Sequence, residues 1–263
     1  MKFTKVFFVL CAALIALGAS GCSKKRPADA SDLDIIKDSG VLKVGVKSDV
    51  PGFGFFNTST SEYEGLEIEL AKLFAEEIFG SPDAVRFEVV TAKTRGPLLD
   101  NGELDMVIAT FTVTEERKLT YNFSTPYYTD AVGMLVKKAS GLTSLADLDG
   151  LTIGVAQSAT SKDSIAAAAS DLGINVKFAE FSTYPEIKAA LDSGRVDAFA
   201  VDKSILRGYL DADTIILPDE FSPQPYGVAT KLSNKELASY VDERIKKWLD
   251  DGVIDALITQ FNL

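Results

Sequence analysis

The chain has 263 residues, with 38 acidic against 27 basic side chains and a net charge of −11 at pH 7. So acidic a balance argues against nucleic acid and anionic lipid surfaces as partners. Histidine is absent, which excludes His-ligated metals, Ser-His-Asp triads and imidazole acid–base chemistry; no catalytic residue, metal site or cofactor is expected.

The first residues carry a clear signal. Lys2 and Lys5 precede an apolar run over residues 6–17, and Ala19, Ser20 and Gly21 then lead to Cys22. The run is shorter than the ~20 apolar residues a membrane helix needs. A charged start, a short apolar centre and small residues describe a secretory signal over residues 1–21. The cysteine directly after it resembles a bacterial lipoprotein signal, in which Cys22 would become the first residue and carry the lipid. Ala19 stands where leucine is usual in that class, and an ordinary signal peptide is the alternative. Cys11 lies in the removed run, so Cys22 would be the one remaining cysteine and no internal disulfide can form. Loss of residues 1–21 takes away two lysines and no acids, leaving 25 bases against 38 acids, a net charge of −13. Residues 22–33 are polar and poor in large apolar groups, and read as a tether.

Beyond the tether, strand and helix patterns alternate. Residues 41–47 read as a strand. Leu66, Leu70, Leu73, Phe74 and Ile78 fall on one helical stripe, with Gly80 as its stop. A strand follows at 86–91, a short helix near Pro97 that ends at Gly102, a buried strand at 105–110, and a short helix at 114–118 capped by Thr114. The second half repeats the logic: strand 151–156, helix 161–171 ended by Gly173, strand 175–180, a helix through Ile187, Ala190 and Leu191 ended by Gly194, and strand 196–201. Ser233 and Glu236 have capping-box spacing ahead of a helix lined by Leu237, Val241, Ile245 and Trp248. Residues 253–261 predict a last helix. This order implies parallel sheets flanked by helices, and an α/β protein of two lobes. Extended runs at 127–138 and 225–231 would carry the chain between lobes and form a hinge.

In open parallel α/β sheets, ligands bind beyond the carboxyl ends of the strands. Lys47, Arg95, Thr110, Thr112, Arg117, Thr160 and Asp202 all follow predicted strands. A zwitterionic amino acid needs a carboxylate for its ammonium, which Asp202 offers, and a cation for its carboxylate, which the planar fork of Arg117 offers. Lys47 and Arg95 are then left with nothing to neutralise, and a second ligand carboxylate fits that count. Each position also has an ordinary reading: Arg117 paired with Glu115 or Glu116, Lys47 and Arg95 solvated, Asp202 capping the next helix, Thr160 as a helix-start residue, Asp197 structural, and Phe53, Phe55 and Phe56 as core or cleft wall.

Three segments carry a family resemblance. Residues 65–75 (GLEIELAKLFA), 110–117 (TFTVTEER) and 195–202 (RVDAFAVD) resemble the polar-amino-acid solute-binding proteins of bacterial ABC importers, family three. Residues 45–51, 92–102 and 201–204 are similar to the aspartate/glutamate-binding members. The resemblance implies a type II periplasmic-binding-protein fold, with residues 34–130 and 227–263 in lobe one and 131–226 in lobe two with the hinge strands. It implies that Arg117 holds the ligand α-carboxylate, Asp202 the α-ammonium, and Lys47 and Arg95 the side-chain carboxylate, with Tyr184 and Tyr226 near the ligand. Many members have glycine before the hydroxyl pair of the second-lobe loop; here Ser158 and Ala159 precede Thr160.

The expectation is a monomeric, lipid-anchored extracytoplasmic receptor, not an enzyme, which captures aspartate or glutamate and delivers it to an ABC permease. The alternatives are a receptor for glutamine, cystine or another polar amino acid, a surface adhesin, and a dehydratase or lyase on the same fold.

Overall fold

A computed structural model describes residues 31–263. The signal peptide, Cys22 and most of the proposed tether lie outside the described residues. The chain runs α1 (Asp32–Ser39), β1 (Leu42–Val46), β2 (Asp49–Val50), β3 (Gly54–Asn57), β4 (Glu62–Glu64), α2 (Leu66–Phe79), β5 (Val85–Val89), α3 (Arg95–Asp100), β6 (Met106–Ile108), α4 (Glu115–Lys118) and β7 (Tyr121–Phe123). It continues through β8 (Tyr128–Lys137), β9 (Thr152–Ala156), α5 (Ser161–Leu172), β10 (Lys177–Phe181), α6 (Tyr184–Asp192), β11 (Ala198–Asp202), α7 (Lys203–Arg207), β12 (Thr214–Ile216) and β13 (Phe221–Tyr226). It closes with β14 (Ala229–Lys231), α8 (Lys235–Asp250) and α9 (Val253–Gln260). Among the described residues no helix is long and apolar enough to cross a membrane.

Two sheets divide these strands. The first has the order β5-β1-β6-β14-β7 and the second β10-β9-β11-β8-β12, with β13 paired to β8. In each, three strands pair in parallel, β5-β1-β6 in the first and β10-β9-β11 in the second, and one strand, β14 or β8, runs against the rest. The inner parallel strands β1, β6, β9 and β11 are apolar and largely buried (β6 and β11 throughout), as strands covered on both faces must be. The two lobes also share a detail: Asp105 accepts from the Lys43 amide and Asp197 from the Thr152 amide, each at 2.8 Å. Each of these aspartates donates its own amide back to the same residue's carbonyl. Asp197 is thus structural.

The helices follow their apolar stripes. α2 buries Leu66, Leu70 and Phe74 and ends at Gly80, which adopts φ 74°, a left-handed conformation that glycine takes at no steric cost. α8 buries Leu237, Val241, Ile245 and Trp248, and the Trp248 ring meets Phe74 edge-on at 4.6 Å. Gly65, ahead of α2, is required twice over: its φ is 124°, and a Cβ there would lie 2.1 Å from the Phe53 carbonyl oxygen. This close approach sets where α2 begins.

Three expectations need correction. The last residues of the predicted tether belong to the fold: Ser31 caps α1, accepting from the Asp34 amide at 3.0 Å, and Ile36 is buried. The Ser233/Glu236 capping box does not form; the Ser233 hydroxyl bonds Asn234 instead. The α8 amide at Leu237 is satisfied by Asp32 of α1 at 2.7 Å, a partner 205 positions away that removes the need for a local cap. The return to lobe one is also two strands, β13 and β14, rather than one run over 225–231. Pro223 and Pro225 read against a strand, because proline has no N–H for the ladder. β13 accommodates them with a register shift near Phe221 and Pro223 along β8.

Candidate functional site

The strand ends of the two sheets face each other, and the side chains singled out above meet there. Lys47 follows β1, Thr110 and Thr112 follow β6, and Asp202 ends β11; Arg95 opens α3, Arg117 lies in α4, Thr160 precedes α5, Tyr184 opens α6 and Tyr226 ends β13. Four of these carry charge, and three of the four are almost removed from water: Lys47 at 2%, Arg95 at 3% and Asp202 at 5% exposure. Long charged side chains are seldom buried so far without partners.

Arg95 is anchored inside lobe one. Its Nη1 donates to the carbonyls of Ala109 at 2.6 Å and Thr110 at 3.0 Å, and its guanidinium lies 4.0 Å from the Phe111 ring centroid. Its Nε has no protein partner, and neither has the Thr110 hydroxyl. Arg117 lies against the same ring at 4.9 Å. It donates from Nη1 to the Thr112 carbonyl at 2.8 Å and from Nη2 across the lobes to the Ser158 carbonyl at 3.1 Å. It makes no ion pair with Glu115 or Glu116; Glu115 pairs with Lys118. Burial, with Arg95 nearby, lowers its pKa to about 9.

Asp202 stands opposite. It is the N-cap position of α7 yet makes no side-chain cap bond, so the capping alternative does not describe it. The Tyr226 hydroxyl donates to it. Burial raises its pKa to about 7, while the charges of Arg95 and Arg117 act to lower it. Thr112 and Thr160 both donate to the Oε1 of Gln224, at 2.9 and 2.7 Å, so one crossing-strand side chain ties the hydroxyls of the two lobes. A cavity of about 540 Å³ opens beside Arg117, lined by Thr112, Arg117, Ser158, Thr160 and Gln224 among others; Lys47, Arg95, Asp202, Tyr184 and Tyr226 do not line it. Phe53 belongs to the core: it is fully buried and meets Tyr128 and Tyr226 edge-on at 5.1 and 5.7 Å.

Two acids went unnoticed in the sequence. Asp49 lies 3.1 Å from the Lys47 ammonium, which corrects the expectation that Lys47 has nothing to neutralise. Burial lowers the Lys47 pKa and Asp49 opposes that shift; the ammonium also sits 4.5 Å from the centroid of the Tyr184 ring. Glu67 is wholly buried in the first turn of α2. Its Oε1 accepts from the Thr110 amide and the Tyr127 hydroxyl, both at 2.5 Å. It thereby fixes Thr110 at φ 45°, a conformation costly for a β-branched residue.

Burial raises the Glu67 pKa to about 7 from 4.5. Glu67 and Asp202 therefore bind protons more tightly folded than unfolded. Their stabilising contribution is complete below about pH 4 and is lost as the pH rises through 7. Urea denaturation of the free protein is expected to show stability falling between pH 5 and 8, by on the order of 2 kcal/mol for each of these groups. Glu67→Gln keeps the acceptor oxygen but has no proton to lose, and should flatten that slope. Equal slopes in the two proteins would contradict the assignment.

The model for bacterial extracellular solute-binding proteins, family 3, matches residues 42–263. The chain belongs to that family. It is 36% identical over 253 residues to the ABC transporter glutamine-binding protein of Bacillus subtilis (strain 168), covering 95% of this chain and 90% of that one. It is 38% identical over 221 residues to the glutamine-binding protein of Geobacillus stearothermophilus, covering 83% and 82%. Among solved structures, the solute receptor for L-cysteine of Neisseria gonorrhoeae superposes with a TM-score of 0.81 at 27% identity, over 88% of this chain and 93% of that one. The two lobes and their crossing strands are thus the periplasmic-binding-protein architecture expected from the sequence, and the family is extracytoplasmic.

Proposed function

We propose that this family 3 protein is the receptor of an ABC importer and captures a dicarboxylic amino acid, aspartate or glutamate, between its lobes. The observation that carries this reading is the set of three cations at the strand ends, Lys47 and Arg95 buried and Arg117 half-buried, beside one acid, Asp202, that makes no ion pair or backbone contact. Arg117 would take the α-carboxylate and Asp202 the α-ammonium. Arg95 Nε and the Thr110 hydroxyl are buried donors without partners, and such groups are costly unless something accepts from them. A side-chain carboxylate beside Lys47 would do so. Thr160, Tyr184 and Tyr226 complete the walls. Contacts from both lobes to one ligand favour the closed form by their differential affinity. Lipidation at Cys22 would keep the receptor beside its permease.

A second reading replaces the side-chain carboxylate by an amide. The Asp49–Lys47 pair supports it by lowering the cleft's positive charge, and both relatives named above are glutamine-binding proteins.

Isothermal titration with aspartate, glutamate, glutamine, cystine and arginine distinguishes the readings. The expected result is that aspartate and glutamate bind at least about tenfold more tightly than glutamine, a gap of ~1.4 kcal/mol. Glutamine binding first selects the second reading, and no binding by any of them overturns both. Ligand recovered chemically unchanged is expected; turnover would place the chain among enzymes.

A further inference from the structure

Asp49 touches both the ligand-reading lysine and the opposite lobe. It opens β2, two residues after Lys47. Its carboxylate lies 3.1 Å from the Lys47 ammonium, and the pair is largely buried, at 17% and 2% side-chain exposure. Its backbone carbonyl accepts from the Tyr209 hydroxyl of lobe two at 2.5 Å. The Tyr209 ring meets Tyr184 and Phe199 edge-on, at 6.4 and 5.6 Å. Tyr184 is the ring that the Lys47 ammonium faces. Asp49 therefore pairs with Lys47 by charge, through an oxygen that makes no hydrogen bond, while its backbone carbonyl accepts from the lobe that carries the lysine's aromatic floor.

We propose that Asp49 is a specificity-determining positioning residue: it aims the Lys47 ammonium along the Tyr184 ring and offsets its charge, and so sets how sharply the cleft discriminates an acidic from an amide side chain. The inference rests on the reading of Lys47 as the residue that meets the ligand side chain. A buried cation close to a fixed carboxylate presents a weaker field to a third group than the same cation alone. With Asp49 in place, an acidic ligand must share the ammonium with the protein's own carboxylate, and an amide ligand meets a nearly neutral pair. Without it, the unpaired ammonium attracts a ligand carboxylate strongly and gains little from an amide.

The other charged or titratable groups that face Lys47 are Glu67 from α2, Arg95 from α3 and Tyr184 from α6. Glu67 is occupied by Thr110 and Tyr127, and Arg95 is a like charge. Asp49 is thus the one group among them that forms an ion pair with the lysine.

The test measures glutamate and glutamine affinities by titration calorimetry in the wild type, Asp49→Asn, Asp49→Ser and Lys47→Met, from pH 6 to 10. Because the readout is a ratio within each variant, a general loss of stability cancels, and the serine variant stands in should the asparagine variant not fold. The expected result at pH 6 is a glutamate-to-glutamine preference about tenfold higher in the Asp49 variants than in the wild type. The alkaline limb of glutamate binding should also move to lower pH, because Asp49 no longer opposes the lowering of the Lys47 pKa by burial. A structural role alone would weaken both ligands equally and leave that limb in place; that outcome overturns the proposal. Lys47→Met separates the two claims. If it leaves the ratio unchanged, the reading of Lys47 itself fails; if it lowers the ratio while the Asp49 variants do not raise it, only the role of Asp49 fails.

Discussion

Arg117→Ala is expected to weaken amino-acid binding by about 2–5 kcal/mol, the range for removing one partner of a desolvated, hydrogen-bonded charge pair. Two effects add at this position. The ligand α-carboxylate would be enclosed on lobe closure without its forked donor, and a buried unpaired charge is worth more in penalty than the pair is in gain. The guanidinium is also an interlobe tie, through its bond to the Ser158 carbonyl at 3.1 Å, so the closed form loses a contact of its own. Arg117→Lys separates these effects. It restores the charge but not the planar fork, and should recover only part of the loss. Calorimetry with any bound α-amino acid reads the result, because the residue is assigned to the part that all such ligands share. Unchanged affinity in the alanine variant would remove Arg117 from the site.

Much of this arrangement was legible in the sequence because it obeys local rules. Lys47, Thr110 and Asp202 follow apolar strand runs, and strand ends of parallel sheets are where ligands collect. The stripe Leu237, Val241, Ile245 and Trp248 has helical spacing and is buried as such. What escaped notice depends on contacts remote in the chain. Glu67 sits one position off the apolar stripe of α2 and looks like an exposed first-turn acid; its burial comes from Thr110 and Tyr127, 43 and 60 residues on. Asp49 looks like a loop acid until lobe two arrives with Tyr209, 160 residues later. Gln224 lies between two prolines, in a segment that reads as irregular, yet it joins Thr112 to Thr160. Ser233 satisfied a local capping pattern, and a carboxylate from α1 took its place. Local pattern picked out the charged groups at the strand ends; the groups that contact them are nonlocal.

Side-chain selectivity gives the second large expectation. Lys47→Met combined with Arg95→Met should weaken aspartate and glutamate by about 3–5 kcal/mol and a neutral amino acid by only about 1 kcal/mol. The neutral ligand is not spared altogether, because Arg95 is also part of the scaffold. Its Nη1 satisfies the carbonyls of Ala109 and Thr110, and Thr110 already holds a strained backbone through Glu67. Methionine keeps much of the apolar stem and some contact with Phe111, but leaves those carbonyls short of a donor. On the proposed reading, the acidic ligands lose that same support and also both cations assigned to their second carboxylate. The decisive quantity is therefore the difference between the two ligand classes, read from titrations of the same variant, and the scaffold cost cancels from it. Equal weakening of glutamate and glutamine would mean that Lys47 and Arg95 hold the lobe together without reading the ligand. A specific loss of the acids would show that three cations were gathered here to meet two carboxylates.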